Sequence, residues 1–187
     1  MDHLRRALEA FTPCGDQERR DRDLLLIALD RLDTPLSREN PFAHFTASSW
    51  IVNPARTHAL MAWHNIYRTW AWTGGHADGE SDLLAVALRE AREETGIEAL
   101  RPVTQAIYSV EILPVNAHVK RGQFVSAHLH LNVTYLLEAD ENDPLFIKAD
   151  ENSGVAWFAP KEAEDVCTEP WMRDHIYRKL NEKLRTL

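Results

Sequence analysis

Cysteine is scarce: the 187 residues hold two, Cys14 and Cys167. Two thiols so far apart match no zinc-ligand spacing and build no disulfide framework. They are expected to be free thiols in a reducing compartment. Long apolar runs are missing as well. No segment approaches the ~20 apolar residues of a membrane span, and the opening MDHLRRALEAF has no stretch suited to a signal peptide. The expected setting is cytoplasmic, with no membrane partner. Positive charge is short too: 21 Lys and Arg stand against 29 Asp and Glu, a net charge of −8. That balance argues against general nucleic-acid binding and against attraction to an anionic membrane. A polyanionic ligand would need a bridging metal or a local basic cluster. The sequence also lacks repeats and low-complexity tracts.

What remains is the composition of a soluble globular protein, 44% apolar and 27% charged, long enough for one domain with a full core. Residues 1–33 read as helical and charged. Asp16 is the expected N-cap of a helix to about Leu32, with Leu24, Leu25, Ala28, Leu29 and Leu32 at helical spacing. Thr34-Pro35 ends it, and residues 35–41 read as a linker. Residues 1–41 are thus expected to form a helical N-terminal extension and residues 42–187 the main domain. The extension could cover a sheet edge, make a homodimer contact or border a site, and the pattern leaves all three open. Beyond it, residues 45–52, 58–64, 68–73, 103–114, 125–138 and 154–158 read as strands. Helices are expected over residues 82–95, 160–166 and 171–187, with Ser81 as N-cap of the first. Strand and helix runs mixed in this way suggest an α/β or α+β layered domain.

Residues Gly75 to Ile97 read GHADGESDLLAVALREAREETGI. Positions i, i+3 and i+4 are neighbours on a helix, so Glu90, Glu93 and Glu94 face one way. Carboxylates that close repel unless a cation lies among them, and oxygen-only ligation suits Mg²⁺ or Mn²⁺. Arg89, four residues before Glu93, can brace it. Gly96 supplies a left-handed stop after a Gly74-Gly75 turn. The expected apolar face, Leu84, Ala87, Leu88 and Ala91, lies about a quarter-turn or more from the glutamates. A solvated acidic face is the bland alternative, but it explains neither the paired glycines nor the break at Gly96.

These residues resemble the Nudix box, G-x5-E-x7-R-E-U-x-E-E-x-G-U with U aliphatic. Gly75, Arg89, Glu90, Glu93, Glu94, Gly96 and Ile97 match. The pattern's first glutamate falls on Ser81, with Glu80 one place early, and its first U falls on Ala91. The resemblance implies an α/β/α sandwich around a mixed β-sheet. It implies a hydrolase that cleaves a diphosphate bond in a nucleoside diphosphate linked to another group, with Mg²⁺ or Mn²⁺ as cofactor. Glu90 and Glu94 are then metal ligands, Glu93 a ligand or the water-activating base, and Gly75 a main-chain ligand. Arg89 orients a carboxylate. Many members carry a further acid in a late loop, where Glu151 stands here as a base or ligand; Glu111 is a weaker candidate. Ser81 leaves the fine geometry of the metal shell open, with Glu80 as the candidate substitute.

His128 and His130 alternate on one expected strand and share a face with Asn132 and Thr134. They are read as a polar wall of the substrate cleft, with zinc binding (joined by His118) and plain packing as alternatives. Lys120 and Arg121 form a basic turn that could meet a phosphate, or a solvated hairpin tip. Trp63, Trp70 and Trp72 could stack on a base, against the commoner core role. The favoured function is hydrolysis of a small-molecule diphosphate. A Nudix-like nucleotide-binding or regulatory domain with little turnover is the alternative suggested by the displaced glutamate. A diphosphate-ester isomerase and a zinc hydrolase built on His128 and His130 are further readings.

Overall fold

The computed structural model describes residues 1–120 and 122–187. Two helices lead, α1 (Asp2–Ala10) and α2 (Gly15–Arg31). Strands β1 (Ala43–Val52), β2 (Ala59–His64), β3 (Thr69–Ala71) and β4 (Thr73–His76) precede helix α3 (Leu83–Thr95). Then come β5 (Arg101–Pro102), β6 (Ser109–Val115), β7 (His118–Lys120), β8 (Gln123–Val125), β9 (His128–Glu138) and β10 (Asn152–Phe158). Helix α4 (Pro160–Asp165), a π-helical turn (Met172–Tyr177) and α5 (Arg178–Leu184) complete the chain. This is the mixed α and β fold expected. Among the described residues no helix is long and apolar enough to cross a membrane.

Contacts divide the chain into two units interleaved in sequence. One unit comprises Met1–Ser48, Gly74–Ala87 and Gln105–Tyr135. Its strand order is β4-β1-β9-β6. Helix α1 buries Leu4 and Leu8, one turn apart, and packs on α2. Helix α2 packs in turn on β6. Gln17 Nε2 donates to the Val110 carbonyl at 3.1 Å, and Asp21 Oδ2 accepts from the Ile112 amide at 3.1 Å. The leading helices therefore cover a sheet edge, one of the three roles the pattern left open. Asp16 is not the cap of α2. Cys14 occupies that place, and its amide donates to Glu18 Oε2 at 2.6 Å, so a carboxylate one turn on satisfies the orphan donor. Asp16 sits in the first turn, where its charge favours the positive helix end. Leu24 faces outward, while Leu25, Ala28 and Leu29 are buried.

Gly74 and Gly75 lie in strand β4, not in the turn expected of them. A Cβ on Gly74 would meet Ser48 Oγ at 2.6 Å and the Ala47 carbonyl at 2.7 Å. Close approach of β4 to β1 therefore requires a glycine there. The sharp turn comes later, at Asp78 and Gly79, with φ of 49° and 92°.

The other unit comprises Ser49–Thr73, Leu88–Thr104 and Leu136–Leu187. Its strands follow the order β10-β2-β1-β9-β5, with β3 added to β2. Antiparallel pairs join Ile51 to Leu60, Ala156 to Met61, Trp63 to Trp70 and Arg101 to Glu138. Strands β1 and β9 run parallel. The Leu129 amide bonds the Phe42 carbonyl at one end and the Ala139 amide bonds the Val52 carbonyl at the other, with the same sequence offset. The sheet is thus mixed. All ten residues of β1 are buried, as a strand covered on both faces requires. The expected strand over residues 103–114 begins only at Ser109, and that over 125–138 breaks between Val125 and His128.

Candidate active site

Asp82 immediately precedes helix α3, and its Oδ1 accepts from the Ala85 amide at 3.1 Å. Asp82, not Ser81, is therefore the N-cap. Glu80 Oε1 accepts from the Asp82 amide at 2.8 Å. The buried stripe of the helix runs through Leu83, Val86, Ala87 and Ala91. On a 3.6-residue period, Glu90 and Glu94 continue that stripe and Glu93 stands at its flank. The expected separation of apolar face and glutamates is therefore corrected. Leu84 and Leu88 are half-buried, while the Glu90 side chain is 14% exposed and Glu94 is 6% exposed. Glu93, by contrast, has a side chain 45% exposed. Three carboxylates on one turn thus occupy two environments.

Arg89 acts as a brace. Its Nη2 lies 2.8 Å from Glu90 Oε1 and its Nε 3.9 Å from Glu93 Oε1. The main hydrogen bond goes to the adjacent glutamate rather than to Glu93, as the helical spacing had suggested. Lys148 was not anticipated. Its Nζ donates to Glu93 Oε2 at 2.7 Å and lies 3.0 Å from Glu151 Oε2. An ammonium is therefore the cation between these two carboxylates. Burial disfavours the charged lysine, but its hydrogen bonds to Glu93 and Glu151 outweigh that and raise its pKa above the ordinary value. The available signal was Lys148 three residues before Glu151, in a loop already read as acidic.

That loop is fastened to the end of α3. Asn152, buried, donates from Nδ2 to the Glu94 carbonyl at 2.9 Å, and its Oδ1 accepts from the Lys148 amide at 3.2 Å. The Phe146 amide donates to the Thr95 carbonyl at 2.8 Å. Gly96, at φ 75°, leaves the helix beneath Phe146, whose Cβ would lie 2.7 Å from any side chain placed there. These bonds hold Glu151 and Lys148 beside Glu93.

In the other unit, β1 and β9 turn alternate polar residues to a common network. Thr46 and Ser48 hydroxyls donate to Asn132 Oδ1 at 2.9 and 2.8 Å. Asn132 Nδ2 and Thr134 Oγ1 each donate to Glu111 Oε2 at 2.9 Å. Glu111 is fully buried, and Ser109 links it to the equally buried Glu18. Glu111 therefore serves an internal network. Gly75 lies in the same unit, on β4.

His128 and His130 do share a face, as expected, but their companions are His44 and His76 rather than His118. Ring centroids lie 5.0 Å apart for His44–His128, 5.2 Å for His44–His130 and 5.0 Å for His76–His130. His118 stands on β7 and bonds the Asn116 carbonyl. Burial, then repulsion from His76, His44 and His128, lowers the pKa of His130 to about 2. Burial also lowers that of His44, against the hydrogen bond to Asn40. Both rings are therefore neutral at pH 7. The Lys120 backbone ends β7, while its side chain and Arg121 lie outside the described residues.

Trp63, Trp70 and Trp72 are half-buried and pack against other rings. Trp63 and Trp70 meet edge-to-face at 5.8 Å, and Trp70 meets Phe158 at 4.9 Å. Trp72 stands edge-on to Tyr177 at 5.7 Å. Gly154 leaves room for the Trp70 ring, 3.1 Å from where a Cβ would sit.

The NUDIX domain family matches residues 43–180 of the chain. Among solved structures, a Nudix hydrolase of M. smegmatis, RenU, is similar over 81% of this chain and 94% of its own, with 17% identity and a TM-score of 0.57. A C. elegans Ap4A hydrolase is similar over 76% of this chain and 95% of its own, with 19% identity and a TM-score of 0.54. The E. coli dihydroneopterin triphosphate pyrophosphohydrolase follows, over 72% and 92%, with 14% identity and a TM-score of 0.54. At such identities the likeness is one of fold. No curated protein matches the chain in sequence.

Proposed function

The chain belongs to the Nudix family, and from that premise we propose that it hydrolyses a diphosphate bond of a small phosphorylated metabolite with Mg²⁺ or Mn²⁺. The observation that carries the reading is the convergence of Glu93 and Glu151 on one cationic group at 2.7 and 3.0 Å, beside two carboxylates drawn into the buried stripe of α3. Oxygen ligands converging on a cation fit a hard divalent ion. Glu90 and Glu94, shielded from water, are its ligands, and Glu93 joins them as a ligand or acts as the base. When bound, such an ion supplies charge neutralisation at the diphosphate and a more acidic water.

The chain's own groups do the rest. Glu93 and Glu151 are the solvent-reached carboxylates, with side chains 45% and 44% exposed. One of them takes the proton of the water that attacks phosphorus, and the released phosphate group leaves with the bridging oxygen. Arg89 positions Glu90. Lys148 holds negative charge in check between Glu93 and Glu151. Residues 42–187 carry this activity, and residues 1–41 serve as an extension covering β6.

A second reading, a nucleotide-binding domain with little turnover, draws on Ser81 in the place of a glutamate and on Glu80 being engaged with the Asp82 amide. A panel of nucleoside triphosphates, ADP-ribose, nucleotide sugars, dinucleotides and dinucleoside polyphosphates separates the two. Metal-stimulated phosphate product from the native chain, absent in Glu94→Gln, is the expected result. A ligand that raises the melting temperature without any product would select the binding domain.

A further inference from the structure

We propose that His44, His76 and His130 bind one transition-metal ion of the zinc type, through a ligand chemistry unlike that of the acidic residues on α3. Three neighbouring strands in the order β4-β1-β9 supply one histidine each. Their ligand nitrogens all lie within 4.8 Å of one another. A tetrahedral ion with nitrogens at about 2.0–2.1 Å places them about 3.4 Å apart, a closure that small side-chain rotations supply.

The ring nitrogens are prepared for this role. Nδ1 of His44 bonds the Asn40 carbonyl at 3.3 Å, which leaves Nε2 as the bare lone pair. His44 is 4% exposed, and its Nε2 is buried with no hydrogen-bond partner. Nε2 of His130 is likewise buried without a partner. Buried polar atoms are nearly always satisfied, so two orphaned ring nitrogens in one cluster point to an absent ligand. The backbone behind His44 is fixed as well. Asn40 donates from Nδ2 to the Asp33 carbonyl at 2.8 Å and accepts at Oδ1 from the amides of Phe42 and Ala43.

Imidazole selects zinc, copper, nickel or iron over magnesium. The neutral rings are the ligating form. Three ligands leave a fourth position open, beside His128, whose ring stacks on His44. This assigns His130 to an ion rather than to direct substrate contact.

The test is calorimetric titration of chelator-stripped protein with Zn²⁺ and Mg²⁺, for the native chain and for His44→Gln, His130→Gln and Glu94→Gln. The native chain and Glu94→Gln should take up one Zn²⁺ per chain, and each histidine variant should bind it more than about tenfold more weakly. Co²⁺-loaded native protein gives a reading that no variant's folding can disturb. Imidazole ligation should appear as the visible band of a four-coordinate ion and as histidine scattering in X-ray absorption. No Zn²⁺ uptake by the native chain, unchanged uptake in both histidine variants, or a Co²⁺ spectrum without imidazole overturns the proposal.

Discussion

Glu93 and Glu94 are consecutive, yet one stands in solvent and the other is 6% exposed. Their glutamine variants should lose metal-dependent hydrolysis equally but differ in stability. Glu93→Gln breaks an exposed pair with Lys148, worth about 0.2–1 kcal/mol, so its melting temperature should stay close to native. Glu94→Gln changes a buried carboxylate and should lower it more. Thermal melts beside phosphate-release assays check both halves, and retained hydrolysis in both variants would remove these residues from the site. Lys148 permits a sharper expectation. Its ammonium occupies carboxylate oxygens that a divalent ion needs, so Lys148→Met removes a competing cation. An interaction of that exposed class corresponds to about a two- to fivefold fall in the half-saturating Mg²⁺ concentration. A rise instead would mean that Lys148 assists the bound state.

At the scale of elements, α3 is set by its two ends. Asp82→Ala should cost about 1 kcal/mol through the lost cap. Gly96→Ala should cost more. The left-handed conformation alone costs a side chain about 1–2 kcal/mol, and contact with Phe146 adds to it. Urea denaturation of both variants orders the two effects, and a Gly96→Ala chain as stable as native would contradict the packing described. This element was also the most legible in the sequence, because Arg89, Glu90, Glu93, Glu94 and Gly96 stand at the spacing of a helix and its stop. What was not legible there follows from period alone. A helical wheel shows which residues share a side, but Leu83 and Leu84 compete for the inward place, and the neighbouring chain decides. Pairing could not be read either. His44, His76 and His130 are separated by up to 86 positions, and only the strand order brings them together. Lys148 escaped because a lysine among loop acids looks like solvated charge until Asn152 ties the loop to α3. The Gly74-Gly75 pair suggested a turn, since glycine's freedom and its lack of bulk leave the same trace in sequence.

For the molecule as a whole, the leading helices matter through an edge. Among the described residues, strand β6 pairs only with β9 within the sheet, and α2 answers its outer backbone groups with Gln17 and Asp21. A chain lacking residues 1–31 should expose that edge, a template for association between copies. Light scattering and size-exclusion chromatography should show aggregation of the shortened chain, and a monodisperse, fully active product would reduce the helices to an ornament. The parallel pairing of β1 with β9 has a consequence of another kind. During synthesis at about 5–20 residues per second, β1 emerges some 5–20 seconds before its partner. For that interval its apolar residues await a strand not yet made. Yield in a cell should therefore depend on slow translation, low temperature or a chaperone that holds the nascent chain, more than on the stability of the finished fold.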